Sequence, residues 1–374
     1  MRIIFTGGGT AGHINPALAV AECVRKNMPD AEILYIGTKG GMEERLVNDA
    51  GFDFDSIKIT GFSRKLNLTG IKKNLITIKN IFLSMKQSGK ILDKFKPDIC
   101  MGTGGFVCGP LLYEAYRKKI PFIIHEQNAF PGITNKLLAK KADKVMLASA
   151  AAKKYFDKSC DIVVTGNPIR EEMGSFSKED AKARLGLDNR PVVLSFGGSL
   201  GARKINEAVA DLIKWSIQNN KYNHLHAYGR YGKWFRDLLK EKGVNPDGEG
   251  LKIQEYINDM PLRMSAADVL ICRAGAITLS EIKALAKPAI LIPSPNVSEN
   301  HQYHNAMELV KAGAADIIEE KDLTGDILIK KTKNLIENKE RLKEVSENLK
   351  KLATVDSDKK IYNIIKEYRN NSRN

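Results

Sequence analysis

Apolar residues along this chain come in short runs, each followed by a glycine-containing turn and then by a stretch with helical spacing. Arg2–Thr6 reads as a strand, GGGTAGH as a turn, and Pro16–Lys26 as a helix; a second strand follows at Glu32–Ile36. Further apolar runs at Asp98–Met101 and Phe122–His125 each lead into a Gly- or Asn-containing loop and another helical stretch. The scheme then restarts, with Pro191–Phe196 as a strand, GGSLGA as a turn and Arg203–Ile217 as a helix. Asp268–Cys272 and Ala289–Pro293 are later strands with the helix Thr278–Leu285 between them, and Asp322–Tyr368 is a Lys/Glu-rich helical tail. Strands alternating with helices imply right-handed βαβ units and a parallel sheet. Two starts of this kind predict an α/β protein of two Rossmann-like domains joined near Thr165–Arg170. The loops at the carboxyl ends of the strands are then where chemistry is expected.

One helical stretch has an unusual wheel. Ile71, Leu75, Ile78, Phe82 and Met85 fall on one stripe, which is expected to pack on the core. Lys72, Lys73, Lys79 and Lys86 lie to one side of it, with Ile76 and Leu83 among them. The chain as a whole carries 59 basic and 44 acidic residues, and nine of the basic ones, against Asp93 alone, fall within residues 60–96. A patch of this kind expects a polyanionic partner, either nucleic acid or anionic lipid. With 374 residues, 43% of them hydrophobic, the chain can bury full cores, which excludes wholesale disorder. No apolar run is long enough for a membrane-spanning helix. The opening residues are too short an apolar stretch for a signal peptide. Five scattered cysteines without a C-x-x-C spacing read as reduced thiols, with no zinc site. Together these features predict a cytoplasmic protein.

Three motifs carry candidate chemistry. Gly7–Gly12 fits G-x-G-x-x-G between a strand and a helix, a backbone shape that lets a diphosphate approach the helix N-terminus. A dinucleotide site also needs an acid at the end of the second strand. Here that position reads Ile36-Gly37-Thr38, with no acid before Glu43, which argues against NAD. Gly197–Gly201 fits the G-x-S-x-G elbow of serine hydrolases, with Asp268 and His301 following in triad order. A small hydroxyl at a helix start is more often a phosphate ligand or cap than a nucleophile. Thr278-Leu279-Ser280-Glu281 has the form of a capping box, so Glu281 either folds back on its own helix or serves a ligand. The acidic triplets Asp53–Asp55 and Asp356–Asp358 adjoin no Gly-rich loop, so no metal and no cofactor are expected.

Taken in order and spacing, GGGTAGHINPALAVAE, GTGGFVCGP, HEQNAFPGITNKLLAKKADKV, TGNPIR, GGSLGARKIN, EYINDM, CRAGAITLSE and ENHQYHNA resemble the MurG family of bacterial peptidoglycan glycosyltransferases. The resemblance covers residues 7 to 306. It implies a GT-B fold of two Rossmann-like domains facing across a cleft. Residues 1–164 would form the acceptor and membrane side, 165–354 the UDP-sugar side, and 355–374 a helix packing back on the first domain. The implied activity is that of an inverting hexosyltransferase. N-acetylglucosamine would move from UDP-N-acetylglucosamine to the 4-hydroxyl of N-acetylmuramic acid in undecaprenyl-linked lipid I, giving lipid II and UDP. Another GT-B nucleotide-sugar enzyme, such as a UDP-N-acetylglucosamine 2-epimerase, is the alternative. A nucleic-acid binder would leave two Gly-rich loops unexplained, so no nucleic-acid partner is expected.

The resemblance also assigns roles. Thr10, Ala11 and Gly12 would border the donor diphosphate and the acceptor. His13 is the leading candidate for the base that deprotonates the acceptor hydroxyl, since imidazole titrates near neutral pH; Glu126 is the second. Asn128 would bind sugar through its amide, and Arg170 and Ser199 would face the diphosphate. Ile257 would meet uracil through its backbone, Glu281 would accept from the ribose hydroxyls, and Gln302 would contact sugar. Where some relatives have two consecutive glutamines, this chain has His301-Gln302. Lys72, Ile76, Lys79 and Leu83 would meet the anionic cytoplasmic face of the cell membrane, to which the protein would bind peripherally.

Overall fold

A computed structural model describes residues 1–59, 68–170, 172–354 and 356–371. The chain divides into two units: Met1–Ile169 with Asp356–Asn374, and Arg170–Val355.

The first unit is built on a parallel sheet of β1 (Arg2–Thr6), β2 (Glu32–Gly37), β3 (Asp53–Ser56), β4 (Ile99–Gly102), β5 (Phe122–Glu126), β6 (Lys144–Leu147) and β7 (Ile162–Val164). Their order is β3-β2-β1-β4-β5-β6-β7. The central strands read as near-continuous apolar runs because helices cover both faces; Ile3, Ile4, Phe5, Ile99 and Met101 are all fully buried. Strand order reverses between β1 and β4, which pair in parallel with Thr6 opposite Gly102. The turns that leave these two strands therefore emerge side by side.

The helix after β1 runs from Ala11 to Asn27, five residues earlier than the spacing suggests, with Pro16 inside it. Proline at that position removes one N–H, the one that would reach the Gly12 carbonyl, and Gly12 is exposed. His13 consequently sits in a helical first turn, where its ring direction is fixed, and not on a loop. The C-terminal helix Ser357–Asn371 belongs to this unit. Its Ile361, Ile364 and Ile365 join the core of Ile14, Ala17, Val20 and Val24, and Arg369 pairs with Asp30 at 2.6 Å.

In the helix Leu68–Phe95, the side chains of Ile71, Leu75 and Ile78 from the expected stripe, and of Lys73 beside it, lie outside the described residues, and Met85 is half-buried. Among its described side chains the buried ones are Thr77, Asn80, Ser84, Ser88 and Leu92, with Ile81 and Ile91 partly buried against the core. Small side chains let this helix lie close to Cys108–Arg117, its packing neighbour. Phe82, expected on the core stripe, is instead 69% exposed, beside the exposed Leu83.

The second unit repeats the plan with β8 (Val192–Phe196), β9 (Asn223–Ala227), β10 (Leu251–Gln254), β11 (Val269–Cys272), β12 (Ala289–Leu291) and β13 (Asp316–Ile317). The parallel order is β10-β9-β8-β11-β12-β13, again reversing beside the first strand. All five residues of β8 are buried, between helices that include Arg203–Gln218. Among the described residues, no helix is long and apolar enough to cross a membrane.

Candidate active site

In the first unit the turn after β1 and the turn after β4 are interlocked. Gly8 N donates to the Gly104 carbonyl at 3.3 Å. A Cβ on Gly7 would stand 2.0 Å from Thr103 Oγ1, and one on Gly105 (φ +86°) would stand 2.3 Å from the Gly8 carbonyl oxygen. Only glycine allows this approach. The Thr103 hydroxyl donates to the His13 carbonyl at 2.7 Å, tying the second turn to the start of the helix. That helix begins after an extended Thr10 whose side chain makes no cap hydrogen bond. Its first N–H groups are thus available to an anion. Glu43, the nearest acid to the second strand, is buried and accepts from the backbone and hydroxyl of Thr38, so it is committed within the fold and offers nothing to a ribose.

His13 is half-buried, with its Nδ1 3.0 Å from Gln127 Oε1. Gln127 Nε2 in turn lies 2.9 Å from the His125 carbonyl and 3.1 Å from His125 Nδ1. His125 Nε2 lies 2.9 Å from the Gly166 carbonyl. Glu126, at the end of β5, is only 1% exposed. It accepts from Asn128 N and Asn128 Nδ2, both at 3.0 Å, from Gly132 N at 3.0 Å and from Asn135 Nδ2 at 2.8 Å. Four donors occupy both oxygens, so this carboxylate knots the 127–132 loop, which carries Asn128.

In the second unit Ser199 is exposed in the turn after β8, closed by Gly201 N donating to the Gly198 carbonyl at 3.0 Å. Gly201 (φ +85°) packs so tightly on the next loop that a Cβ would lie 2.2 Å from the Tyr228 carbonyl oxygen. The helix Arg203–Gln218 starts behind this turn at Ala202, with no side-chain cap. The hydrolase alternative fails on geometry. Asp268 sits at the amino end of β11, accepts from Val192 N at 2.9 Å and pairs with Lys178. Ser199 follows the opposite, carboxyl end of the adjacent β8.

The capping-box alternative for Glu281 fails too. The helix Ala276–Leu285 has Gly275 as its N-cap, which leaves Thr278 inside the helix and Glu281 in its second turn. Glu281 is 5% exposed, and its nearest cation is Arg170, 3.9 Å away. Burial pushes its carboxyl up to about 7 against the opposing pull of the Arg170 guanidinium. Ile257 is buried in the core, leaving only its backbone for recognition. Gln302 Oε1 accepts from Ser294 N at 2.9 Å, which fixes the side chain over the turn after β12.

Thr10, Ala11, Gly12, His13, Glu126 and Asn128 thus belong to the first unit, and Arg170, Ser199, Ile257, Glu281 and Gln302 to the second. The side chains of Lys72, Ile76 and Lys79 lie outside the described residues. The sequence reading gave no role to Thr103, Gly105, His125 or Gln127. Thr103 and Gly105 carried a signal, since GTGG ends the strand adjacent to β1. For Gln127 none was available, because its partner His13 is 114 residues away.

Residues 3–147 match the glycosyltransferase family 28 N-terminal domain and residues 192–362 its C-terminal domain. The chain is 44% identical over 374 residues to the UDP-N-acetylglucosamine--N-acetylmuramyl-(pentapeptide) pyrophosphoryl-undecaprenol N-acetylglucosamine transferase of Acetivibrio thermocellus, covering 99% of each chain. Its structure is similar to that of Acinetobacter baumannii MurG, with a TM-score of 0.77 at 27% identity over 98% of this chain and 99% of that one. A UDP-GlcNAc 2-epimerase from Neisseria meningitidis shares the fold alone, with a TM-score of 0.67 at 16% identity over 98% and 100% of the two chains.

Proposed function

Because this chain belongs to glycosyltransferase family 28, we propose that it transfers N-acetylglucosamine from UDP-N-acetylglucosamine to undecaprenyl-linked lipid I, giving lipid II and UDP. The observation that carries the reading is the identity along the whole chain to a relative named for that transfer. The epimerase alternative has fold likeness only.

In this reading the acceptor 4-hydroxyl loses its proton to the His13 ring as its oxygen bonds to C1 of the donor sugar. The C1–oxygen bond to UDP breaks, and the electron pair leaves with the diphosphate, inverting C1. His13 suits the base because its ring is half-buried beside an open helix start. Glu126, whose oxygens are taken by four donors, serves as the clamp of the loop that offers Asn128 to sugar. Thr10, Ala11 and Gly12 border the diphosphate and acceptor. Arg170, Ser199 and the start of the helix Arg203–Gln218 stabilise the departing charge, as fixed donors and cations do for developing anions. Ile257 meets uracil through its backbone, Glu281 accepts from ribose, and Gln302 holds sugar.

Peripheral binding to the anionic cytoplasmic face of the cell membrane belongs to the same reading. Support comes from Phe82 and Leu83, both exposed, and from exposed Tyr113 and Tyr116 on the packing neighbour helix. The Lys141 ammonium lies 5.5 Å from the Tyr116 ring centre, an amphipathic pairing suited to a headgroup boundary.

The test is to incubate the protein with labelled UDP-N-acetylglucosamine and a short-chain lipid I analogue. Disaccharide and UDP should form in equal amounts. Conversion of the donor to UDP-N-acetylmannosamine without acceptor, or no transfer at all, would overturn the reading.

A further inference from the structure

The base proposed above is useful only if its reactive nitrogen carries a lone pair, and imidazole has two tautomers. The first unit contains a chain of hydrogen bonds that selects one. It starts at the Gly166 carbonyl, which can only accept, 2.9 Å from His125 Nε2. His125 is fully buried, and burial holds its imidazole below its ordinary range, so the ring is neutral. A neutral ring that donates from Nε2 must accept at Nδ1. The donor there is Gln127 Nε2 at 3.1 Å. The same amide nitrogen lies 2.9 Å from the His125 carbonyl oxygen. A flipped amide would put two oxygens against each other at that distance, so the orientation of Gln127 is dictated by its surroundings. Its Oε1 then faces His13 Nδ1 at 3.0 Å and can only accept. Asn167 Nδ2 donates to the Gln127 carbonyl at 3.1 Å, and Asn135 Nδ2 to that of His125 at 3.2 Å, which locks the backbone on which the chain is strung.

We propose that Gln127, backed by His125 and the Gly166 carbonyl, is a positioning residue that holds His13 as the Nδ1–H tautomer and leaves Nε2 as the atom that takes a proton. The proposal rests on the transferase reading for what that proton is, but the tautomer itself does not depend on it. On proton transfer, the acceptor hydroxyl hydrogen moves to Nε2. The resulting imidazolium keeps its Nδ1–H donated to Gln127 Oε1, where an amide oxygen strengthens its hold on a charged donor. The relay thus favours the charged state formed during the reaction, and Gln127, the group in contact with His13, does not itself titrate.

Two measurements test it. In histidine-labelled protein at about pH 8.5, above the ordinary imidazole range, two-bond nitrogen–proton correlation spectra distinguish Nδ1–H from Nε2–H rings. There are six histidines, and the His13 signals are those lost in His13→Ala. The wild-type ring should be of the Nδ1–H type; an Nε2–H ring would overturn the proposal whether or not a Gln127 variant folds. In Gln127→Met, close to Gln in volume, the preference should be lost and kcat should fall roughly tenfold to a hundredfold, with the KM for UDP-N-acetylglucosamine unchanged. Made in a His13→Ala background, the same substitution should cost nothing further. An equal loss in both backgrounds would mean that Gln127 acts elsewhere and would refute the relay. Should the wild type show the Nδ1–H ring yet transfer no sugar, the transferase reading falls and the tautomer assignment stands.

Discussion

Replacing Glu281 by glutamine should make the second unit more stable and donor binding weaker, with both effects depending on pH. The carboxyl is buried, and the cation it pairs with, Arg170, lies at 3.9 Å, too far for a direct hydrogen bond. Burial raises it from an ordinary 4.5 to about 7. A carboxyl raised on folding contributes its full stability below the unfolded value, and that contribution is lost as pH rises through the folded value. The window is therefore 4.5 to about 7. At 1.36 kcal/mol per tenfold change in proton affinity, the loss across it is about 3 kcal/mol. Glutamine imitates the protonated form at every pH. The stability difference between Glu281→Gln and wild type should thus grow by about 3 kcal/mol from about pH 4 to about pH 8.5 in favour of the variant. Comparing two pH values removes any constant cost of burying the amide. The assay is urea unfolding followed by tryptophan fluorescence, which isolates the second unit because Trp215 and Trp234, the only two in the chain, both lie there. UDP affinity should strengthen in the wild type as pH rises through about 7, since ribose hydroxyls need the ionised acceptor, and should stay flat and weaker in the variant. A stability difference that does not change with pH would refute the burial argument. A variant with unchanged UDP affinity would refute the ribose assignment.

His13→Ala should lower kcat by roughly 10²–10⁴ with little change in stability or donor KM, measured with the soluble acceptor analogue. Glu126→Ala should show the opposite balance, losing roughly 3 kcal/mol or more in unfolding experiments because four donors, the buried amide of Asn135 among them, lose a charged acceptor; an Ala variant that folds as well as wild type would return Glu126 to the list of bases. Chelation with EDTA should leave turnover largely intact if Arg170 and the helix start carry the leaving charge, and a magnesium-reversible loss would show otherwise. A Lys72/Lys73/Lys79→Glu triple variant should sediment less with anionic vesicles, at about 1 kcal/mol per lysine, while still turning over a water-soluble acceptor analogue; equal sedimentation of both proteins would refute a membrane role for this segment.

The strands that lead into the Gly-rich turns, and the helices after them, were legible along the chain because each is encoded locally, whereas β6, β7, β9, β10 and β13 were not read from it. A βαβ unit needs an apolar run, a glycine where the backbone must turn tightly, and helical spacing after it, all within some thirty residues. The two Gly-rich turns and the acids and amides beside them could therefore be named from their place behind a strand. What each does could not, because function here depends on partners distant in sequence. His13 and Glu126 were first and second candidates for one role until the fold turned both oxygens of Glu126 onto Asn128, Gly132 and Asn135 and set the His13 ring against Gln127, at the end of another strand. Glu281 reads as a capping residue until its helix is seen to begin at Ala276, and Asp268 reads as a triad acid until parallel pairing puts it at the wrong end of the sheet. The helix Leu68–Phe95 makes the same point in reverse. Hydrophobicity alone assigned Phe82 to the core, but close helix packing selects small side chains, so serines went inside and the ring went out. Periodicity along a chain specifies which elements form, whereas burial, hydrogen-bond partners and the proton affinities that follow from them belong to neighbours that only the tertiary fold brings together.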